Sequence, residues 1–221
     1  MSSTDSIRNI SVIGHGTTGK TTIVENLLFL AGVIPKPETI ESGKTVCDYS
    51  EEEIENNFSI KTALTHINWN DHKINIFDTP GSSDFIGEVI SAFRASESSL
   101  MVVGARAGVQ IETIKLWRRL NNRGIPRMVF INKMDIERAD FQKTLDDLRE
   151  NFKVNFVPVT IPIGSGPEFS GIIDLIEMKA YKAAGQGNMA AKPEDVPEDM
   201  QDAAEEQRMQ LIEAAAEGDE S

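Results

Sequence analysis

At 221 residues and 40% hydrophobic, the chain has room for one ordinary domain plus a modest insertion and enough apolar material for a packed core, so a globular protein is expected. The amino terminus lacks a basic flank and an apolar run, and no stretch nears the roughly 20 apolar residues of a membrane span. The single cysteine, Cys47, cannot form an internal disulfide, so a cytoplasmic protein without membrane contact is expected. Of the net charge of −13, residues 183–221 carry −9, with eleven acidic residues against Lys192 and Arg208, which leaves −4 for residues 1–182. No basic run or aromatic platform calls for base readout, so DNA is not an expected partner.

In chain order the elements read strand, helix, hairpin, strand, helix, strand, helix, strand, the alternation of an α/β sheet covered on both faces. Ile10–Ile13 forms a short apolar strand, and residues 19–31 carry Ile23, Leu27, Leu28 and Leu30 near helical spacing before Gly32. Thr62–Trp69 and Lys73–Phe77 flank Asn70-Asp71-His72, a turn-forming cluster that joins two antiparallel strands. Leu100–Val103 and Met128–Ile131 read as buried parallel strands, separated by a helix from about Ile111 to Arg123 that Gly124 ends. After a helix near Asp140–Phe152, prolines and glycines (Pro158, Pro162, Gly164, Gly166, Pro167) mark a boundary, and the expected division is 1–157 and 158–221. Residues 185–198 read as a connector. Glu198–Ala216 then returns to helix, with Met200, Ala203, Ala204, Leu211 and Ala215 on one stripe that reads as a docking face.

Three motifs carry chemistry. Gly14-His15-Gly16-Thr17-Thr18-Gly19-Lys20-Thr21, followed by Thr22 and a helix, satisfies the P-loop pattern after the first strand. Phosphate oxygens need backbone N–H groups around them, glycines allow the close approach, and a helix amino terminus adds a favourable dipole. Lys20 is expected between the β- and γ-phosphates and the Thr21 hydroxyl on Mg²⁺. The same glycines also spell a dinucleotide fingerprint, with Glu38 or Glu41 near the place of a ribose-binding acid. That alternative leaves Lys20-Thr21 unexplained. Asp78-Thr79-Pro80-Gly81 follows a strand, so the Asp78 carboxylate can hold a Mg²⁺-bound water and Gly81 can offer its N–H to a γ-phosphate. Asn132-Lys133-Met134-Asp135 ends the next parallel strand. A carboxylate such as Asp135 accepts both N1–H and the 2-amino group of guanine, a pattern adenine lacks. Asn132 bonds the base or ties its loop to the P-loop, and the Lys133 stem covers a ring face. The bound nucleotide expected is therefore GTP or GDP.

These residues resemble the translational GTPases, and among them elongation factor G and its paralogues. The likeness extends from Asn132-Lys133-Met134-Asp135 through Ala139-Asp140-Phe141, over Val157-Pro158 and Ile161-Pro162-Ile163-Gly164, to Gly171-Ile172-Ile173-Asp174-Leu175-Ile176 and Leu211-Ile212-Glu213-Ala214-Ala215-Ala216-Glu217. The resemblance implies a P-loop GTPase domain with a mostly parallel sheet, followed by the start of an inserted α+β subdomain. It also implies Mg²⁺-dependent GTP hydrolysis on the ribosome, by a monomer that meets stalk proteins and large-subunit RNA. Lys20, Gly81 and Ser82 then stand at the reacting phosphate, with Thr21, Ser59 and Asp78 around the metal. Three positions depart from the family. Ser82-Ser83 stands where the family has the His that orients the attacking water, Ser59 where it has a Mg²⁺-binding Thr, and Thr17 where it has Asp. Such changes resemble divergent paralogues. The family's last guanine-binding loop and later domains are expected beyond residue 221, which makes this chain an amino-terminal fragment in that reading.

Overall fold

The computed structural model describes residues 4–182 and 191–218, and the chain divides into two compact units, one ending at Lys133 and one beginning at Met134. The first unit holds β1 (Ile7–Ile13), α1 (Lys20–Leu30), α2 (Glu51–Asn56), β2 (Ala63–Trp69), β3 (His72–Asp78), α3 (Ile86–Ala95), β4 (Ser98–Gly104), α4 (Ile111–Arg123) and β5 (Arg127–Asn132). Its sheet runs β2-β3-β1-β4-β5, parallel throughout except for the antiparallel β2-β3 pair. The fold is thus α/β with a mostly parallel sheet, as expected.

The central strands are apolar because helices cover both faces. Met101, Val102 and Val103 of β4 are each at most 1% exposed. On one face Val12, Ile76 and Val102 pack with Val24 and Leu28 of α1. Helix α4 buries Thr113, Leu116, Trp117 and Leu120, one stripe at helical spacing, and stops at Gly124 in the left-handed region (φ 64). The hairpin turn is the pair Asn70-Asp71, both at positive φ (46 and 62), and His72 already belongs to β3.

Two elements differ from expectation. Helix α3, with Val89, Ala92 and Phe93 buried, intervenes between β3 and β4 where the sequence reading runs directly from strand to strand. Strand β5 is an edge strand rather than the buried one its apolar run suggests, and Met128 and Phe130 are 60% and 43% exposed.

The register decides where the motifs meet. Asp78 lies opposite Val12, and Asn132 opposite Gly104, so the parallel strands end along one edge of the sheet. The loops that start at Gly14, Thr79 and Lys133 leave from that edge, the usual ligand-binding side of an open α/β sheet.

The second unit comprises α5 (Phe141–Phe152), a four-stranded antiparallel sheet of β6 (Thr160–Ile163), β7 (Gly171–Asp174), β8 (Lys179–Lys182) and β9 (Pro193–Glu194), and α6 (Gln201–Gly218). The composition change at 157/158 falls inside this unit, just before its sheet. Ile161, Ile173, Leu175, Ala180, Val196 and Ala204 form its buried core, with Met200 and Leu211 packed against it. The stripe expected on α6 is therefore narrower than the sequence suggests: Ala204 is buried and Leu211 half-buried, while Ala203 and Ala215 are exposed. Arg208 fastens the helix by donating to the carbonyls of Leu175 (3.0 Å) and Ile176 (2.7 Å). The expected connector, residues 185–198, lies outside the described residues up to 190, and beyond them it contributes β9 as an edge strand. Among the described residues no helix is long and apolar enough to cross a membrane.

Candidate functional site

The P-loop is shaped by close backbone contact. Gly14 has φ 151 and lies so near the Val102 carbonyl that a Cβ would collide with it, while at Gly19 (φ 91) a Cβ would meet Asn132 Nδ2 at 2.5 Å. Side chains are therefore excluded where the loop must pass the sheet and the next motif. Thr17 takes a left-handed φ of 63 as a non-glycine residue and is exposed, a conformation costly for a β-branched side chain. The His15 carbonyl accepts from both Thr18 Oγ1 and Lys20 Nζ, each at 3.0 Å. His15 itself is half-buried. Helix α1 starts at Lys20, so its first N–H groups face the loop. Thr22, in that first turn, is exposed.

Beside the loop, oxygen donors gather. Thr21 Oγ1 donates to Asp78 Oδ2 (2.7 Å) and lies 3.4 Å from Ser59 Oγ. Asp78 is 1% exposed and Lys20 6%. Burial pushes the Lys20 ammonium down to about 8 against the opposing pull of Asp78 and Asp48. It likewise pushes Asp78 up to about 6, opposed by the Thr21 hydrogen bond and by Lys20. The Asp78 Oδ1 and both Asp48 carboxylate oxygens are buried without a hydrogen-bond partner. Orphaned hard oxygens beside a hydroxyl pair fit a Mg²⁺ ion, which is usually bound through one or two carboxylates together with other hard oxygens from phosphate and water. Among the described residues no group of three or more His, Cys, Asp or Glu is placed to hold a metal ion.

The Asp78 strand end is held by Thr79, whose hydroxyl donates to the Val12 carbonyl (2.8 Å), and Pro80 is buried beneath it. Gly81 then runs against the P-loop, where a Cβ would come within 2.5 Å of the Gly16 nitrogen and 2.6 Å of Lys20 Nζ. Ser82 caps its own 3-10 turn, its Oγ accepting from the Asp84 N–H (3.3 Å). On the far side, Asn132 Nδ2 donates to the Thr18 carbonyl (2.8 Å), which favours the P-loop tie among the two roles open to it. Lys133 is half-buried at a left-handed φ of 61. Asp135 is exposed and opens the second unit, two residues further along the chain. Lys20, Thr21, Ser59, Asp78, Gly81 and Asn132 are thus gathered within the first unit.

Sequence reasoning missed four carboxylates here. Asp48 carried no signal, since it stands in a loop without a motif. Glu25, fully buried on α1, accepts from the backbone N–H groups of Glu38 (3.2 Å) and Val46, anchoring the loop between them. Glu53 is 1% exposed and accepts from Ser50 (3.1 Å), Ile60 (2.9 Å) and Lys61 (3.0 Å). Burial opposes its charge, yet the hydrogen bonds from Lys61, Ile60 and Ser50 prevail and hold its carboxyl below the ordinary value. Ser50-x-x-Glu53 is a capping box that was legible before a short helix. Glu88, on α3, was passed over with its helix. Glu38 forms an ion pair with Lys36 (2.8 Å) and Glu41 is exposed.

Residues 5–216 match the family described as the elongation factor Tu GTP binding domain. The chain belongs to that family. A crystal structure of a protein from Thermus thermophilus superposes with a TM-score of 0.89 at 31% identity, over 96% of this chain and 32% of that one. The chain thus spans about a third of the length of that protein. Membership of a GTP-binding family favours the guanine-nucleotide reading of the glycines after β1 over the dinucleotide reading that involved Glu38 or Glu41.

Proposed function

We propose that this chain is the GTP-binding and GTP-hydrolysing portion of an elongation factor G-like translational GTPase, a divergent paralogue that works with the ribosome in the cytoplasm. The observation that carries the reading is the convergence on one sheet edge of Lys20, the Thr21–Asp78 hydrogen bond and the Asn132–Thr18 tie. In this reading residues 158–221 belong to the inserted subdomain, whose acidic helix α6 meets the ribosomal stalk.

The P-loop amides and Lys20 bind the phosphates, and Gly81 presents its N–H to the γ-phosphate. Thr21, Ser59 and Asp78 would hold Mg²⁺, which would supply neutralisation of phosphate charge. Lys133 covers the purine and Asp135 accepts from its N1–H and 2-amino group. GDP at a hundred times its dissociation constant should stabilise the protein by about 2.7 kcal/mol in thermal unfolding, and ADP at the same concentration should not. Lys20→Ala and Asp135→Ala should each remove the GDP shift. Equal shifts with GDP and ADP would refute guanine selectivity.

A second reading, a GTP-binding switch that hydrolyses slowly, is favoured by Ser82, whose hydroxyl is committed to its own turn and is too short to orient a water as an imidazole would. An aligned general base contributes about 10²- to 10⁴-fold. Ser82→His should therefore raise ribosome-stimulated phosphate release by about 10² or more. An unchanged rate would show that this side chain is not limiting.

A further inference from the structure

Helix α3 begins one 3-10 turn after Ser82, and its first residues reach back to the loop that carries Ser59. Glu88 Oε2 accepts the backbone N–H of Thr62 at 2.8 Å, three residues beyond Ser59. Phe85 stacks on Phe58, the residue before Ser59, with ring centroids 6.3 Å apart and planes at 24°. The loop is thus gripped on both sides of Ser59 by the segment that Gly81 leads. Core burial does not account for the stack, because Phe58 is 45% exposed. Glu53 shapes the same loop from within, through Ile60 and Lys61, and reaches nothing on α3 in doing so. Among the described hydrogen bonds and ring contacts, the loop is held by Phe85 of the 3-10 turn and Glu88 of α3.

We propose that Glu88 is a positioning residue which, with the Phe58–Phe85 stack, ties the Ser59 loop to the Gly81 segment so that both engage the γ-phosphate side of the nucleotide as one body. This rests on the GTP-binding reading of the same site. A GDP molecule presents no γ-phosphate to either segment, so the tie contributes to binding of GTP and not to binding of GDP. A hydrogen bond to a charged acceptor, lost with burial of its donor, weakens the state that uses it by about tenfold or more.

The test is calorimetric titration of the whole 221-residue chain with GDP and with a slowly hydrolysed GTP analogue, both with Mg²⁺. Glu88→Ala should weaken the analogue about tenfold while GDP affinity stays within about twofold, and Glu88→Gln, which keeps an acceptor oxygen, should restore most of the loss. Phe58→Ala should lower the analogue-to-GDP ratio in the same direction, and the double variant should lose less than the product of the single losses. Equal losses for both nucleotides, or an unchanged ratio in a folded Glu88→Ala protein, would overturn the proposal. Should Glu88→Ala fail to fold, Phe58→Ala decides, and an unchanged ratio there is equally fatal. Wild-type protein that binds neither nucleotide would remove the GTP-binding reading and the inference together, whereas normal GDP binding with an unmoved ratio would remove the inference alone.

Discussion

Asp78 shows how the site sets stability against binding. Its carboxylate is 1% exposed, with one oxygen on Thr21 and the other without a partner, and burial lifts it to about 6 from an ordinary 3.8. Between those values the folded protein binds a proton that the unfolded chain releases. The contribution of Asp78 to stability is therefore greatest below about pH 4 and is lost as pH rises through about 6, opposite to a carboxylate held by a salt bridge. The difference corresponds to about 2 to 3 kcal/mol at neutral pH. Asp78→Asn, which keeps an oxygen for the Thr21 hydroxyl, should raise the unfolding temperature of the nucleotide-free protein at about pH 7.5 and weaken nucleotide binding. The gain over wild type should shrink as the pH is lowered to about 4.5. A gain that stays constant across that range in thermal unfolding would show that Asp78 does not titrate in this way. Lys20 mirrors it, since burial pushes the ammonium down to about 8 and the protonated site costs stability below that pH. In the proposed site a phosphate and a cation would offset both charges, a trade common at binding sites.

Among the elements, the β2-β3 hairpin illustrates local chemistry that packing leaves intact. Asn70 and Asp71 both occupy left-handed φ, the requirement of a two-residue type I′ turn that matches the twist of the flanking strands. Asp71→Gly relieves the Cβ strain at the second turn position and should stabilise the protein by about 0.5 to 1 kcal/mol, read as a higher midpoint in denaturant at unchanged slope. A fall in the midpoint would indicate that the Asp71 side chain does something the turn geometry does not require. Helix α4 was equally legible, because Leu116, Trp117 and Leu120 repeat at helical spacing and Gly124 ends it. Helix α3 was not. Its apolar positions Val89, Ala92 and Phe93 fall on one face, but it has ten residues, contains Gly87 in its first turn and follows the polar Ser82-Ser83-Asp84, so local propensity argued for a loop. Its helicity comes from burial of that face against the sheet. Strand β5 misleads in the other direction: an apolar run looks buried whether or not both of its faces are covered, and only the strand order puts it at an edge.

Among the described residues each unit has buried apolar residues of its own, Val12, Ile76 and Val102 among them in the first and Ile173, Leu175 and Ala180 in the second. The residues proposed to contact nucleotide lie in the first unit except Asp135, which opens the second. Binding should therefore steady one core more than the other. GDP is expected to slow amide exchange in residues 14–22, 79–82 and 132–135 while β6, β7 and β8 exchange at unchanged rates. Equal slowing in both sheets, measured by hydrogen exchange, would mean that the units open together.

The order and spacing of the residues alone determined the nucleotide class and the α/β architecture, because a phosphate cradle and a guanine-reading loop require particular residue types after particular strands. Tertiary structure decided which groups stand together. Thr21 with Asp78, Ser59 with Thr21, Gly81 on Gly16 and Asn132 on Thr18 join residues 38 to 114 positions apart, and only the parallel register of β1, β3, β4 and β5 brings their ends to one edge. The buried carboxylates Asp48 and Glu53 and the half-buried Glu88 belong to the same category. A glutamate reads as a surface residue until the fold supplies the backbone N–H groups that make its burial favourable.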